Sequence, residues 1–440
     1  MDIAALDSIG AVPRSPDIPT YRMIFGSLHI WEGDGWKAES MASKTGCALG
    51  ANLTGPMQTT YRGRDAQELL SRVSINDVRT WGIGRSKHLV MPDANGRVAA
   101  HGLAVRDSEE QFRVMASLPW PALRLAGSGL DVDVSYQQIF ILQVTGPTSV
   151  DVIERLLGRS IRDLRFLGVG PIDIPGGPPG VELELSRIGM SGNLAYEIRG
   201  PYEHGPWVYD AVHRAGADFG IVRTGWRTYP VNHTEGGFPQ SNVTFLASAI
   251  EDDAFLRSEF AARAVVSLSG SVDPADVRAR MRTAVEVNWG WMARLDHDFI
   301  GREAVEAELA APRRTTVTLR WSPEDMLDVF ASQFEPGEEY THFEFPTSPQ
   351  PPAGGHADLV TDVRGEPIGV SSAPVYSSWF RAMLSQGTIA VEQAQVGATV
   401  IVHWGEHGRR IKRIRATVEP FPMLDLPRNR DHEFPMPPAP

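Results

Sequence analysis

The stretch Ser186-Arg187-Ile188-Gly189-Met190-Ser191-Gly192-Asn193-Leu194-Ala195-Tyr196-Glu197-Ile198 decides how this chain is to be read. Just before it, Val181-Glu182-Leu183-Glu184-Leu185 alternates strictly between apolar and acidic residues, which predicts a half-buried strand after the turn Pro175-Gly176-Gly177-Pro178-Pro179-Gly180. Within the stretch, Tyr196 and Ile198 flank Glu197. Strand side chains alternate, so the carboxylate faces away from both neighbours. A carboxylate so placed can accept two adjacent N–H donors at once.

Working outward, the segments Thr59 to Leu70 and Leu142 to Leu157 share a plan of strand, glycine (Gly63, Gly146) and helix. In the second, Thr148 with Asp151 three residues on predicts an N-cap, and Val152, Ile153, Leu156 and Leu157 recur at helical spacing. Val98 to Met115 and Ser135 to Val144 read as strands, giving a mixed or antiparallel sheet. Trp207 to Ala215 reads as a helix stopped by Gly216, with Trp207, Val208, Ala211 and Val212 inward, and Ile300 to Leu309 as another. From Thr315 the character turns to β, with strands expected at Thr315 to Trp321, Ala398 to Trp404 and Ile411 to Val418. The expected division is a catalytic region over 1–313 built of two related α+β subdomains, a C-terminal β domain over 314–425, and a proline-laden, poorly ordered tail over 426–440.

Composition narrows the chemistry. A net charge of −12 repels phosphate backbones and anionic membrane surfaces, which argues against nucleic-acid and membrane partners. The basic run Arg409 to Arg415 partly alternates with apolar residues and reads as the solvated face of a strand. The single cysteine, Cys47, excludes an intramolecular disulfide and multi-cysteine metal sites, and is expected to be a buried small residue. Met1 to Ala11 lacks the basic start and apolar run of a signal peptide, and no stretch of about 20 apolar residues occurs, so a cytoplasmic location is expected. Gly82-Ile83-Gly84 and Gly33-Asp34-Gly35 lack the third glycine and following helix of a dinucleotide fingerprint. His233-Thr234-Glu235 has the form of half a deaminase zinc motif, but one cysteine cannot supply the other half, and no metal is expected.

The quoted stretch resembles the signature of the folate-binding aminomethyltransferase family, that of the glycine cleavage T-protein. Gly225-Trp226-Arg227 follows at the right distance, and Asp298-Phe299-Ile300-Gly301-Arg302-Glu303-Ala304 matches closely. Within the family, Val317 to Trp321, Val370 to Ser377 and His233 to Gln240 resemble the tetrahydrofolate-dependent aromatic O-demethylases that act on vanillate or syringate. The resemblance implies an α+β fold with interleaved strand-helix units and a C-terminal β-barrel, and tetrahydrofolate as methyl acceptor without a metal. It implies Glu197 as the carboxylate that grips the pterin's ring nitrogen and amine, with Arg227, Trp226 and Phe238 near the folate. Tyr229 is the expected acid that protonates a departing aryl oxygen, with His101 as a second candidate for acid or orienting group. A small methoxy-substituted aromatic acid is the expected partner, and Arg106 or Arg113 would meet its carboxylate. In Gly96-Arg97-Val98-Ala99-Ala100-His101-Gly102-Leu103 an aspartate pair of the family is replaced by His101 and Gly102, which weighs against the aminomethyltransferase reaction with its lipoyl-carrier partner. A demethylating dehydrogenase would need a dinucleotide domain. A non-catalytic folate-binding protein of the iron-sulfur-assembly type would need a cysteine motif that Lys44 to Gly50 does not match.

Overall fold

The computed structural model describes residues 15, 17–24, 27–53, 57–116, 118–261, 268–347 and 355–433. The segments Met1 to Ala11 and 434–440, and most of the proline-rich loop after Phe345, lie outside the described residues. Ten strands form one strongly curved sheet. After a hairpin of β1 (Thr20–Ile24) and β2 (Ser27–Glu32) come β3 (Cys47–Ala51), β4 (Met57–Arg62), β5 (Arg85–Pro92), β6 (Val98–Arg106), β7 (Gln111–Ala116) and β8 (Asp133–Thr145). β9 (Val169–Ile172), β10 (Leu183–Ser186), β11 (Ala195–Pro201) and β12 (Ile221–Thr224) follow. The strand order is β5-β6-β7-β4-β8-β11-β10-β9, with β3 joining β8 and β12 pairing β3 in parallel. A bridge between Arg85 and Gly168 brings the two outer edges together, so the sheet wraps around an interior.

That interior exists because β8 is long enough to serve two partners in succession on one side, β4 along Asp133 to Gln138 and β3 along Leu142 to Thr145. Both expected strand-helix segments run strand, glycine, helix. Gly63 and Gly146 turn with φ of 144° and 128°, and a Cβ at either would strike a carbonyl oxygen, at 2.3 Å from Asp131 and 2.4 Å from Gly46. The helix Ser149–Leu157 buries Val152, Ile153, Leu156 and Leu157 as its spacing predicts. Thr148 does precede it, but its hydroxyl makes no capping bond, so the expected cap is corrected. The helices Gly205–Ala215 and Arg302–Ala310 fall where expected.

The C-terminal strands β13 (Arg314–Trp321), β14 (Ala357–Thr361), β15 (Pro367–Ser377), β16 (Ala382–Ala390), β17 (Thr399–Trp404) and β18 (Lys412–Glu419) close into a barrel in the order β13-β16-β15-β14-β17-β18. Its core includes Leu319, Trp321, Val360, Val402, Trp404 and Ile414. The fold is therefore α+β, with a curled, mainly antiparallel sheet and a closed six-stranded barrel. The described part of the segment expected as a loose tail is docked. Asn429 is buried, its side chain donates to the Ala195 carbonyl at 3.0 Å, and Arg187 donates to the Asn429 carbonyl at 2.7 Å. Among the described residues, no helix is long and apolar enough to cross a membrane.

Candidate functional site

A cavity of about 970 Å³ opens between the curled sheet, the turn Gly189–Gly192, the loop Gly237–Val243 and the bulge Ala373–Val375 of the barrel strand β15. Its volume lies near the upper end for ligand sites, roughly 300–1,000 Å³.

Glu197 lies in its wall. β11 pairs with β8 so that Glu197 sits directly opposite Gln143, whose Nε2 donates to Glu197 Oε1 at 3.2 Å. Two residues along, on the same face, comes Arg199. This arginine is fully buried, donates to Ser186 Oγ, and reaches Glu197 at 3.8 Å and Glu184 at 3.4 Å as ion pairs, its Nε and Nη1 making no hydrogen bond. Burial pushes the Glu197 carboxyl upward, Arg199 and Gln143 pull it down, and Glu184 pushes it up again. The result is a dehydrated carboxylate with one neutral donor and unspent acceptor capacity, the arrangement a ligand with paired N–H donors can satisfy.

Trp226 and Phe238 also line the cavity. The turn that carries Trp226 begins at Gly225, where a Cβ would lie 2.2 Å from the Trp31 carbonyl. Buried Glu39 pins the same turn, accepting from the Gly225 amide at 3.1 Å and from the Thr228 hydroxyl at 2.6 Å. Trp226 Nε1 donates to His29 Nδ1 at 3.2 Å. Arg227, next in sequence, is not among the lining residues. It is ion-paired to Glu32, and its Nη2 donates to the Phe345 carbonyl at 2.7 Å.

Tyr229 starts the helix Tyr229–Gly236, which rests on the Gly189–Gly192 turn so closely that a Cβ at Gly236 would lie 2.1 Å from the Ser191 carbonyl. Its ring packs on Trp226 at 5.3 Å and His233 at 4.1 Å between centroids. The hydroxyl is buried without a hydrogen-bond partner among the described residues, and Gln240 and Glu197 are near enough to bear on its ionisation. Burial pushes this phenol far above its ordinary range, so it holds its proton.

His101 lies on β6 and lines the cavity, but both its ring nitrogens are engaged. Nε2 accepts from the Ser241 amide at 3.2 Å, and Nδ1 meets His88 Nε2 at 3.1 Å. His88, on β5, lines the cavity too. Burial holds His101 well below the ordinary histidine range, helped by His88 and His233, and lowers His88 to about 4. Both are neutral at physiological pH. Phe238 and Trp289 pack around them, with His88 5.4 Å from Phe238 and 4.6 Å from Trp289.

Arg106 and Arg113 do not line the cavity. Arg106 donates to the Trp81 carbonyl at 2.7 Å, while Arg113 is held by Asp107 and Glu184, each at 2.7 Å. Neither is placed to meet a substrate carboxylate in this cavity: Arg113 is ion-paired within the sheet, and Arg106 is engaged by backbone carbonyls. Sequence reasoning missed His88, Gln143 and Arg199. Arg199 sits two residues from Glu197 and could have been found from strand alternation alone; the other two require the strand register.

With this geometry in view, comparison with known proteins is decisive. Residues 28–243 match the GCVT N-terminal domain. The chain is 34% identical over 424 residues to sesamin methylene transferase of Sinomonas sp. (strain No.22), covering 92% of each chain. The chain belongs to the GCVT family. It is 27% identical to syringate O-demethylase of Sphingobium sp. (strain NBRC 103272 / SYK-6), covering 90% of this chain and 87% of that one. The fold is shared with the glycine cleavage system aminomethyltransferase T of Bartonella henselae, at a TM-score of 0.66 and 15% identity over 93% of this chain and 95% of that one. Against that GCVT background, Gly102 has a physical reason: a Cβ there would lie 2.2 Å from the Met115 carbonyl on β7. A side chain at position 102 would require β7 to shift.

Proposed function

We propose that this GCVT protein is a tetrahydrofolate-dependent one-carbon transferase whose donor is an aryl ether, a methoxy-substituted aromatic of the syringate or vanillate kind. The supporting observation is the buried Glu197 carboxylate, which has acceptor capacity to spare and faces a cavity large enough for two ligands. Tetrahydrofolate supplies the amine that takes the carbon and gives up one proton, so the exchange is neutral overall. Glu197 grips the pterin donors, while Gln143 and Arg199 orient its carboxyl and oppose the upward push that burial gives its pKa. Trp226 and Phe238 supply flat apolar surface. Tyr229 carries the proton that the aryl oxygen acquires as its bond to carbon breaks and the electron pair stays on oxygen. Tyr229 is not itself among the cavity-lining residues, but its ring packs on Trp226, which is, and its raised pKa keeps the proton on the phenol until negative charge builds on the aryl oxygen.

A second reading, transfer of the methylene bridge of a methylenedioxy ring, is favoured by the 34% identity to an enzyme named for such a transfer, and by the absence of Arg106 and Arg113 from the cavity lining. The test is turnover. Incubation with tetrahydrofolate and a panel of methoxybenzoates, their esters and methylenedioxybenzenes is expected to yield a one-carbon folate together with a free phenol or catechol. Absence of both products across the panel would overturn the proposal.

A further inference from the structure

The hydrogen-bond chain Ser241–His101–His88 fixes where its protons lie. A backbone amide can only donate, so His101 Nε2, 3.2 Å from the Ser241 nitrogen, bears a lone pair. A neutral His101 then carries its proton on Nδ1 and donates it to His88 Nε2 across 3.1 Å. A neutral His88 in turn carries its proton on Nδ1, for which the described residues offer no acceptor. The ring bearing that N–H lines the cavity between Phe238 and Trp289, two flat apolar walls suited to an aromatic ring. Ser241, which starts the chain, is the neighbour of Gln240, the side chain closest in influence to the Tyr229 hydroxyl.

We propose that His88 is a substrate-binding residue of this cavity: its Nδ1–H, fixed in place by His101 and the Ser241 amide, donates to the aryl oxygen from which the one-carbon unit departs. The assignment rests on the aryl-ether reading above and adds to it a second donor on the reacting oxygen. His88 transfers no proton; Tyr229 does that. The imidazole instead stabilises negative charge as it develops on oxygen, which an N–H dipole already fixed in direction does without reorganising. An uncharged N–H donor also suits a neutral ether oxygen, which brings no charge into the cavity. His101 is then a positioning residue, acting on substrate only through His88.

Two measurements on the full chain test this. In protein labelled with ¹⁵N in histidine and free of ligand, His88 is expected as the neutral Nδ1–H tautomer, unchanged from pH 5.5 to 8; an Nε2–H tautomer or an imidazolium would overturn the assignment. In turnover, His88→Phe is expected to lower kcat roughly 10²-fold or more for ethers of weakly acidic phenols. The deficit should shrink as electron-withdrawing substituents make the phenol more acidic, while tetrahydrofolate affinity is unchanged, and His101→Phe should show the same trend more weakly. A loss independent of the leaving phenol, or no loss, would defeat the role of His88 alone. A wild-type protein that turns over no aryl ether would defeat the reading on which it rests.

Discussion

At the scale of single residues, the site depends on charges and dipoles held in dry surroundings. Tyr229→Phe removes the proton donor without disturbing the packing of its ring on Trp226 and His233, and is expected to lower turnover roughly 10²–10⁴-fold with folate affinity nearly unchanged. Single-turnover kinetics beside a binding titration would separate the two effects, and turnover surviving in the variant would place the acid elsewhere. Arg199 is the group that most strongly offsets the burial of Glu197. In Arg199→Gln the carboxyl should therefore take up a proton at higher pH, and a protonated carboxyl loses acceptor capacity. Folate binding by the variant should weaken as pH falls from 8 to 6 while wild type changes little; parallel pH profiles would remove Arg199 from this role. Glu197 was singled out because the resemblance to the family assigns a carboxylate there, and strand alternation agrees in turning it away from Tyr196 and Ile198. Arg106 and Arg113 were misjudged because their partners are set by the folded sheet: Trp81 and Glu184 lie far off in sequence, and even Asp107 meets Arg113 only through the turn joining β6 to β7. The pairing of His88 with His101 was invisible for a related reason, since it depends on a register that sets Val90 opposite His101 and Leu103 opposite His88.

Among the elements, the close contact of β6 with β7 explains the departure from the family's acidic pair. Gly102 faces Ala116 in register, and any side chain there runs into β7 backbone. Gly102→Asp, which restores an acidic residue, is expected to destabilise the fold by about 2–3 kcal/mol and to give no aminomethyltransferase activity. A melting temperature equal to wild type would show that the strands can part. The strands and the amphipathic helices were readable because periodicity reports burial directly. Several helices were not, and two of them show why. Tyr229–Gly236 is buried on nearly every side and so lacks a polar face to betray its period. Pro323–Ser332 was submerged in a β-rich context, although Ser322, Pro323, Glu324 and Asp325 spell a helix start and the Ser322 hydroxyl does accept from the Asp325 amide at 3.3 Å.

Across the whole molecule, the curled sheet and the barrel are joined by buried polar ties. Lys44 pairs with Glu235 at 2.6 Å with both side chains inaccessible, and Ser377 of β15 donates to the same carboxylate at 2.6 Å. Within the barrel, His356 is clamped between Asp358 at 2.9 Å and Glu406 at 3.2 Å, while Glu406 also accepts from the Gly270 amide at 3.0 Å. Burial alone would lower the His356 pKa, but the two carboxylates outweigh it and raise the value to about 9. A histidine whose pKa rises on folding stabilises fully below its unfolded value, near 6.5, and loses that contribution as pH climbs through about 9. Denaturant melts at pH 7 and 9.5 should therefore show a loss of stability that His356→Gln largely abolishes, and an unchanged slope in the variant would contradict the clamp. The overall architecture was legible because the family resemblance spans both halves of the chain; how the halves meet was not, because contacts such as Ser377 with Glu235 join residues with no pattern in common. The account as a whole depends on Glu197 gripping a reduced pterin, and calorimetric titration of tetrahydrofolate into wild type and Glu197→Gln tests that most directly. Saturable binding to wild type, weakened in the variant by about 2 kcal/mol or roughly thirtyfold, is the predicted result. Equal affinity in the two proteins, or no binding to wild type, would contradict it.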